Sequence, residues 1–291
     1  MFTGSIVALV TPFRDGRVDE KGLRELIEYQ MDNGTNGIVP CGTTGESATL
    51  SHKEHQHLVE ITVDAVRKLV PVIAGTGSNS TEEAVSLTQH ALVAGADASL
   101  MITPYYNKPT QEGLYQHFCK VASEVEIPII LYNVPSRTGV NLLPSTVARL
   151  AKIGNIVGIK EASGSLQQII DIIALCGEDF IVLSGDDFLV LPILAVGGKG
   201  VISVVANVAP RDMAELVRAF QGGNLARAKA LQYKLRPLND AMFLETNPIP
   251  VKTALALMGK ISGELRLPLC SMAEPNLNRL QATLKEYGVL A

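Results

Sequence analysis

Along the chain, short apolar runs rich in β-branched residues alternate with longer segments whose apolar positions recur at helical spacing. The runs are Ser5–Thr11, Gly37–Cys41, Val72–Thr76, Ala98–Thr103, Pro128–Val134, Ile156–Ala162, Phe180–Gly185 and Gly200–Val205. Between them, Asp19–Asn33, Ser51–Leu69, Ser80–Ala94, Thr110–Glu124, Pro144–Lys152, Ser165–Cys176, Asp187–Val196 and Pro210–Gln221 read as helices. In the first of these Leu23, Leu26, Ile27 and Gln30 fall at i, i+3, i+4 and i+7, a mostly apolar stripe. Ser51 and Ser80 each stand three residues before a glutamate, Glu54 and Glu83. That is the S-x-x-E form of a capping box, and each stands where a helix should begin. Gly95 follows its helix as a C-terminal stop.

Eight strand–helix units in succession, with strands too apolar to leave one face in water, imply an all-parallel sheet covered by helices. Eight is also the number that closes a (β/α)8 TIM barrel, and residues 1–222 are about the length such a barrel needs. A doubly wound open sheet is the alternative. It is weakened because the first strand–helix turn lacks G-x-G-x-x-G and an acidic partner at a strand end. After Gly222 and Gly223 the strand-like runs cease, and Asn224–Arg236, Asn247–Met258 and Glu274–Tyr287 read as three helices. The expected organisation is a catalytic α/β barrel over 1–222 with a small C-terminal helical domain over 223–291.

Composition narrows the class. Hydrophobic residues make up 47% of the 291 and charged residues 19%, enough for a large core and too apolar for disorder. Lys and Arg total 25 against 29 Asp and Glu, a net charge of −4, which argues against a nucleic-acid partner. No apolar run approaches a membrane span, and the N-terminus lacks the basic start of a signal peptide. Cys41, Cys119, Cys176 and Cys270 form no C-x-x-C pair, so a cytoplasmic protein with reduced thiols is expected. Cys41 reads as a small semi-buried residue rather than a nucleophile, because nothing is placed to activate it. His52, His55 and His57 cluster without H-E-x-x-H or a cysteine pair, so neither a metal nor another cofactor is expected.

In a barrel, chemistry belongs at the C-terminal strand ends. The second run ends in Gly42-Thr43-Thr44-Gly45-Glu46, where two hydroxyls and backbone N–H groups suit a cradle for a carboxylate, the alternative being a plain turn that starts a helix. In the sixth run, alternation lets Val157 and Ile159 face the helices while Lys160 points into the barrel with Gly158 below it. An inward amine is costly as a charge and becomes a usable nucleophile toward a ketone or aldehyde, forming a Schiff base. A Lys160 paired with Glu161, or reaching the rim, is an equal alternative on these grounds. The fifth run ends in Tyr132, whose phenol could move protons, and Arg137 follows in the next loop, where it could clamp a carboxylate. Tyr105 and Tyr106 follow the fourth run.

The turn CGTTGES (41–47), the segment YNVPSRTG (132–139), the strand GIKEAS (158–163) and the stretch LSGDD (183–187) together resemble the dihydrodipicolinate synthase family, within the pyruvate-dependent class I aldolases. The resemblance runs essentially end to end. It implies a lyase in which Lys160 condenses with pyruvate while Thr43, Thr44 and nearby amides hold the pyruvate carboxylate. Tyr132, Thr43 and a Tyr106 from a neighbouring subunit would form the proton relay, and Arg137 would meet the carboxylate of L-aspartate 4-semialdehyde. Gly185 and Ile202 would line the site through their backbone. The implied product is 4-hydroxy-tetrahydrodipicolinate, on the diaminopimelate route to lysine. A homotetramer built as a dimer of dimers is implied, and so is an L-lysine inhibitor site at Ser47, Ala48, His52, His55, Asn79, Glu83 and Tyr105. The alternative is another pyruvate-dependent Schiff-base aldolase, of the N-acetylneuraminate or 2-keto-3-deoxygluconate lyase type. Arg137 argues against it, because a sugar acceptor offers hydroxyls at that point.

Overall fold

The computed structural model describes residues 2–290. Eight parallel strands run in sequential order around a barrel: β1 (Gly4–Ala8), β2 (Gly37–Val39), β3 (Ile73–Gly75), β4 (Ala98–Ile102), β5 (Ile129–Asn133), β6 (Ile156–Glu161), β7 (Ile181–Ser184) and β8 (Gly200–Ser203). β1 pairs with both β2 and β8, and an isolated parallel bridge between Ile38 and Val72 closes the ring between β2 and β3. Each strand stops a residue or more short of the expected C-terminal end, because the chain there leaves the ladder to form the loops of the chemical face.

The eight covering helices are α1 (Glu20–Asp32), α2 (His52–Val66), α3 (Thr81–Ala94), α4 (Gln111–Glu124), α5 (Pro144–Leu150), α6 (Leu166–Cys176), α7 (Val190–Ala195) and α8 (Pro210–Gln221). α1 buries Leu23, Leu26, Ile27 and Gln30, the expected stripe. At α2 the Ser51 hydroxyl accepts from the Glu54 N–H at 3.3 Å and the Glu54 carboxylate accepts from the Ser51 N–H at 2.9 Å, a complete capping box. At α3 only half of the box forms. Ser80 accepts from the Glu83 N–H, while the Glu83 carboxylate turns away to Ser78 and His52. Gly95 ends α3 in the left-handed region, at φ 90°.

Val157 departs from expectation. The β5–β6 ladder pairs Ile129 with Ile156 but Ile130 with Gly158, so Val157 is an extra residue on its strand and packs against the barrel interior rather than the helices. Beyond the bulge the alternation resumes, with Ile159 outward and Lys160 inward. Two further features went unpredicted: a two-stranded ribbon of Phe13–Arg14 and Arg17–Val18, and a single helical turn at Pro135–Thr138. The segment expected to be helical from Asp187 opens as a 3-10 turn, Asp187–Leu189, before α7.

Past Gly223 come α9 (Leu225–Ala241), α10 (Ile249–Leu257) and α11 (Glu274–Tyr287). α9 continues beyond the expected stop at Arg236 and through Pro237, because Leu238, Asn239 and Ala241 are buried beyond it. Leu235, Leu255, Leu280 and Leu284 from these helices share one apolar core with Leu23, Leu26, Val59 and Leu216 of the barrel helices. The C-terminal helices are therefore docked on the barrel, and their connections reach its chemical face.

Candidate active site

Parallel pairing sets Tyr132 of β5 opposite Lys160 of β6, and alternation points both inward. The Lys160 Nζ lies 4.3 Å from the centre of the Tyr132 ring. Glu161 takes the opposite face, where its carboxylate accepts from the Ser163 N–H at 2.7 Å and from the Asn133 and Gln168 amides. Burial raises the Glu161 carboxyl and these donors hold it back. Glu161 is thus satisfied without Lys160, and no ion pair holds Lys160 among the described residues. The lysine is 5% exposed, so it does not reach out to the rim. Gly185 crosses directly beside it: a Cβ there would stand 3.1 Å from the Lys160 Cε and 2.6 Å from the Ala162 Cβ.

Above Lys160 opens a cavity of about 450 Å³, lined by Thr43, Thr44, Tyr132, Arg137 and Gly185 among others. Thr44 is held by the C-terminal part of the chain: its Oγ1 accepts from the Asn247 Nδ2 at 3.0 Å. The Asn247 carbonyl in turn accepts from the Arg137 Nη2 at 3.1 Å, so one residue joins both expected carboxylate sites. Asp186, Glu245, Thr246 and Phe243 also line the cavity, and sequence reasoning missed them. Burial pushes the Asp186 carboxyl up, while the Lys160 ammonium favours its ionised form.

Not every expected residue gathers here. Ile202 is fully buried in the interior layer beneath, and Val204 stands at the cavity wall. Tyr106 is 89% exposed and lies outside its own chain's cavity, at a backbone φ of 68°. Such a conformation is unfavourable for a bulky residue, and it presents the phenol outward from the chemical face.

A second cavity of about 540 Å³ shares Thr43, Tyr132, Arg137, Thr246 and Asn247 with the first. Ser47, Ala48, His52, His55, Glu83 and Tyr105 line it. Asn79 does not line it; its carbonyl accepts from the Asn107 side chain. Glu83 sits below the usual carboxylate range because the Ser78 hydroxyl and then the His52 ring, at 2.7 Å, bond to it. Burial lowers His55 toward its neutral form, and its Nε2 donates to the Gly75 carbonyl at 2.7 Å, which fixes the proton on that nitrogen. Burial pushes the Cys41 thiol up, which leaves it unreactive. His57 is taken up by Glu20 and Glu60. No described helix is long and apolar enough to cross a membrane.

A family model described as the dihydrodipicolinate synthetase family matches residues 1–287. The 4-hydroxy-tetrahydrodipicolinate synthase of Syntrophus aciditrophicus is 66% identical over 290 residues, covering 100% of both chains. Among solved structures, dihydrodipicolinate synthase from Aquifex aeolicus superposes with a TM-score of 0.98 at 52% identity, covering 99% of each chain. The enzyme from Cyanidioschyzon merolae, solved with lysine bound, superposes at 0.97 with 40% identity, again over 99% of each chain.

Proposed function

The chain belongs to the dihydrodipicolinate synthetase family, and from that premise we propose how its residues divide the work of a lyase that condenses pyruvate with L-aspartate 4-semialdehyde. The observation that carries the assignment is Lys160: an inward amine with no ion-pair partner among the described residues, at the floor of a cavity whose walls hold Thr43, Thr44 and Arg137.

The Lys160 amine adds to the ketone of pyruvate and expels water, giving an imine. The pyruvate carboxylate lies against the Thr43 and Thr44 hydroxyls and the N–H groups of their turn. Loss of a methyl proton converts the imine to an enamine, whose carbon attacks the aldehyde. Arg137, already aimed by the Asn247 carbonyl, holds the carboxylate of the semialdehyde. The substrate amine then displaces Lys160 as the ring closes, which frees the enzyme and yields 4-hydroxy-tetrahydrodipicolinate.

Protons must move at each stage. Tyr132, beside Lys160, and the Thr43 hydroxyl form the relay, completed by Tyr106 of a second copy. The outward placement of Tyr106 supports that role in trans and so a pairing of at least two copies; we read the full assembly as a homotetramer, a dimer of dimers. The four free cysteines support a cytoplasmic setting. The second cavity is assigned to L-lysine as inhibitor. The lysine-bound relative supports this, as does a lining that offers Glu83 to an amine and His52 and Tyr105 to a zwitterion.

Turnover with pyruvate and a panel of aldehydes tests the reaction. Product should form efficiently only with L-aspartate 4-semialdehyde. Equal or better turnover of N-acetylmannosamine or glyceraldehyde would overturn the assignment.

A further inference from the structure

The turn proposed to receive the pyruvate carboxylate contains a carboxylate of its own. Glu46 closes Gly42–Glu46 in the left-handed region, at φ 53°, and its side chain is fully buried. A buried anion a few residues from an anion site works against binding unless it is neutralised. The partner is Lys252 of α10, also fully buried, whose Nζ lies 2.5 Å from the Glu46 Oε1. The second oxygen of Glu46 accepts from the Arg266 N–H at 3.1 Å. Lys252 has no contact with the cavity. Its Nζ stands 4.3 Å from the centre of the Phe13 ring, which the Arg266 guanidinium also covers at 4.3 Å.

The same stretch of chain that brings Lys252 to Glu46 brings Asn247 to Thr44 and, through its carbonyl, to Arg137. The turn is thus gripped at two points by one segment, at the Thr44 hydroxyl and at the Glu46 carboxylate. We propose that Lys252 is a positioning residue for pyruvate: by pairing with Glu46 it cancels the turn's own negative charge and fixes the backbone that aims Thr43 and Thr44 at the substrate carboxylate. This inference rests on the assignment of that turn to pyruvate.

A purely structural pair would affect stability and leave substrate binding unchanged, so the test reads both. Lys252→Met is expected to raise the KM for pyruvate about tenfold or more, with kcat within about threefold. Its Tm falls, because Glu46 is left buried and unpaired. In Glu46→Gln/Lys252→Met no charge is stranded. That variant should regain most of the Tm yet keep a pyruvate KM raised at least about threefold, because the turn is no longer gripped. Lys252→Arg, which keeps the charge, should fall between. A pyruvate KM within about twofold of the parent in Lys252→Met would overturn the proposal, whatever its Tm. Should that variant fail to fold, a parental KM in the double variant overturns it equally. Borohydride trapping at saturating pyruvate separates this from the underlying assignment. The variants should reach parental labelling of Lys160, whereas absence of label in the parent chain would sink the Schiff-base reading itself.

Discussion

Arg137 enters the cavity with its Nη2 already bonded to the Asn247 carbonyl, so the guanidinium is oriented before substrate arrives. A charge-assisted bidentate contact contributes roughly 1.5–3 kcal/mol, so Arg137→Ala should lower kcat/KM for the semialdehyde about ten- to hundredfold. Trapping of pyruvate should persist. Comparable damage to trapping would show that Arg137 instead maintains the cavity through Asn247. Tyr132 and the threonines were legible as strand-end positions, whereas alternation made an inward Lys160 only one of two equal readings until the burial of Lys160 and the separate bonding of Glu161 decided between them. Asn247 was not, because its position was read only as a helix start, and it meets Arg137 across 110 residues of sequence. Glu161 as a partner for Lys160 was a fair sequence alternative, since neighbours in a chain are close. The strand's own alternation separates them.

At the scale of elements, apolar period and caps located all eight strands and the helices between them, since each strand is buried on both faces and each helix has one apolar side. What stayed hidden depends on pairing. The extra residue at Val157 shows only once β5 fixes the register, and strands of two residues, as in the Phe13–Val18 ribbon, carry no period. Contacts between helices also set the response to acid. His117 of α4 bonds through Nδ1 to Thr81 of α3 at 2.9 Å, and burial pushes its imidazole down to about 4. The unfolded chain therefore takes up this proton first as pH falls. The stabilising contribution is whole above about pH 6.5 and disappears between there and about pH 4. At most it amounts to about 3 kcal/mol. Urea midpoints measured across that window should decline, with a shallower slope in His117→Gln; an unchanged slope would contradict this. Glu54 adds a second, more acidic window. Arg266 holds it near 2, so its contribution persists above about pH 4.5 and is lost toward pH 2.

In the whole molecule, two cavities share the wall formed by Thr43, Tyr132, Arg137, Thr246 and Asn247, so a ligand in one bears on residues of the other. Tyr105, in the second cavity, also adjoins Tyr106, the residue proposed to serve a neighbouring copy's relay. L-lysine should therefore inhibit without competing for the pyruvate pocket, with a coupling of about 1–3 kcal/mol. The check is activity at saturating pyruvate against rising L-lysine, in the parent chain and in Glu83→Ala. Partial inhibition lost in the variant is expected; a parent fully active at high lysine, or equal inhibition of both, would refute the regulatory site. In the proposed mechanism every other residue serves a single amine, that of Lys160. Borohydride reduction in the presence of pyruvate, followed by peptide mass mapping, reads it directly. One pyruvate-derived adduct is expected, on the peptide containing Lys160 and absent from Lys160→Arg; label on another lysine, or none at all, would sink the Schiff-base mechanism.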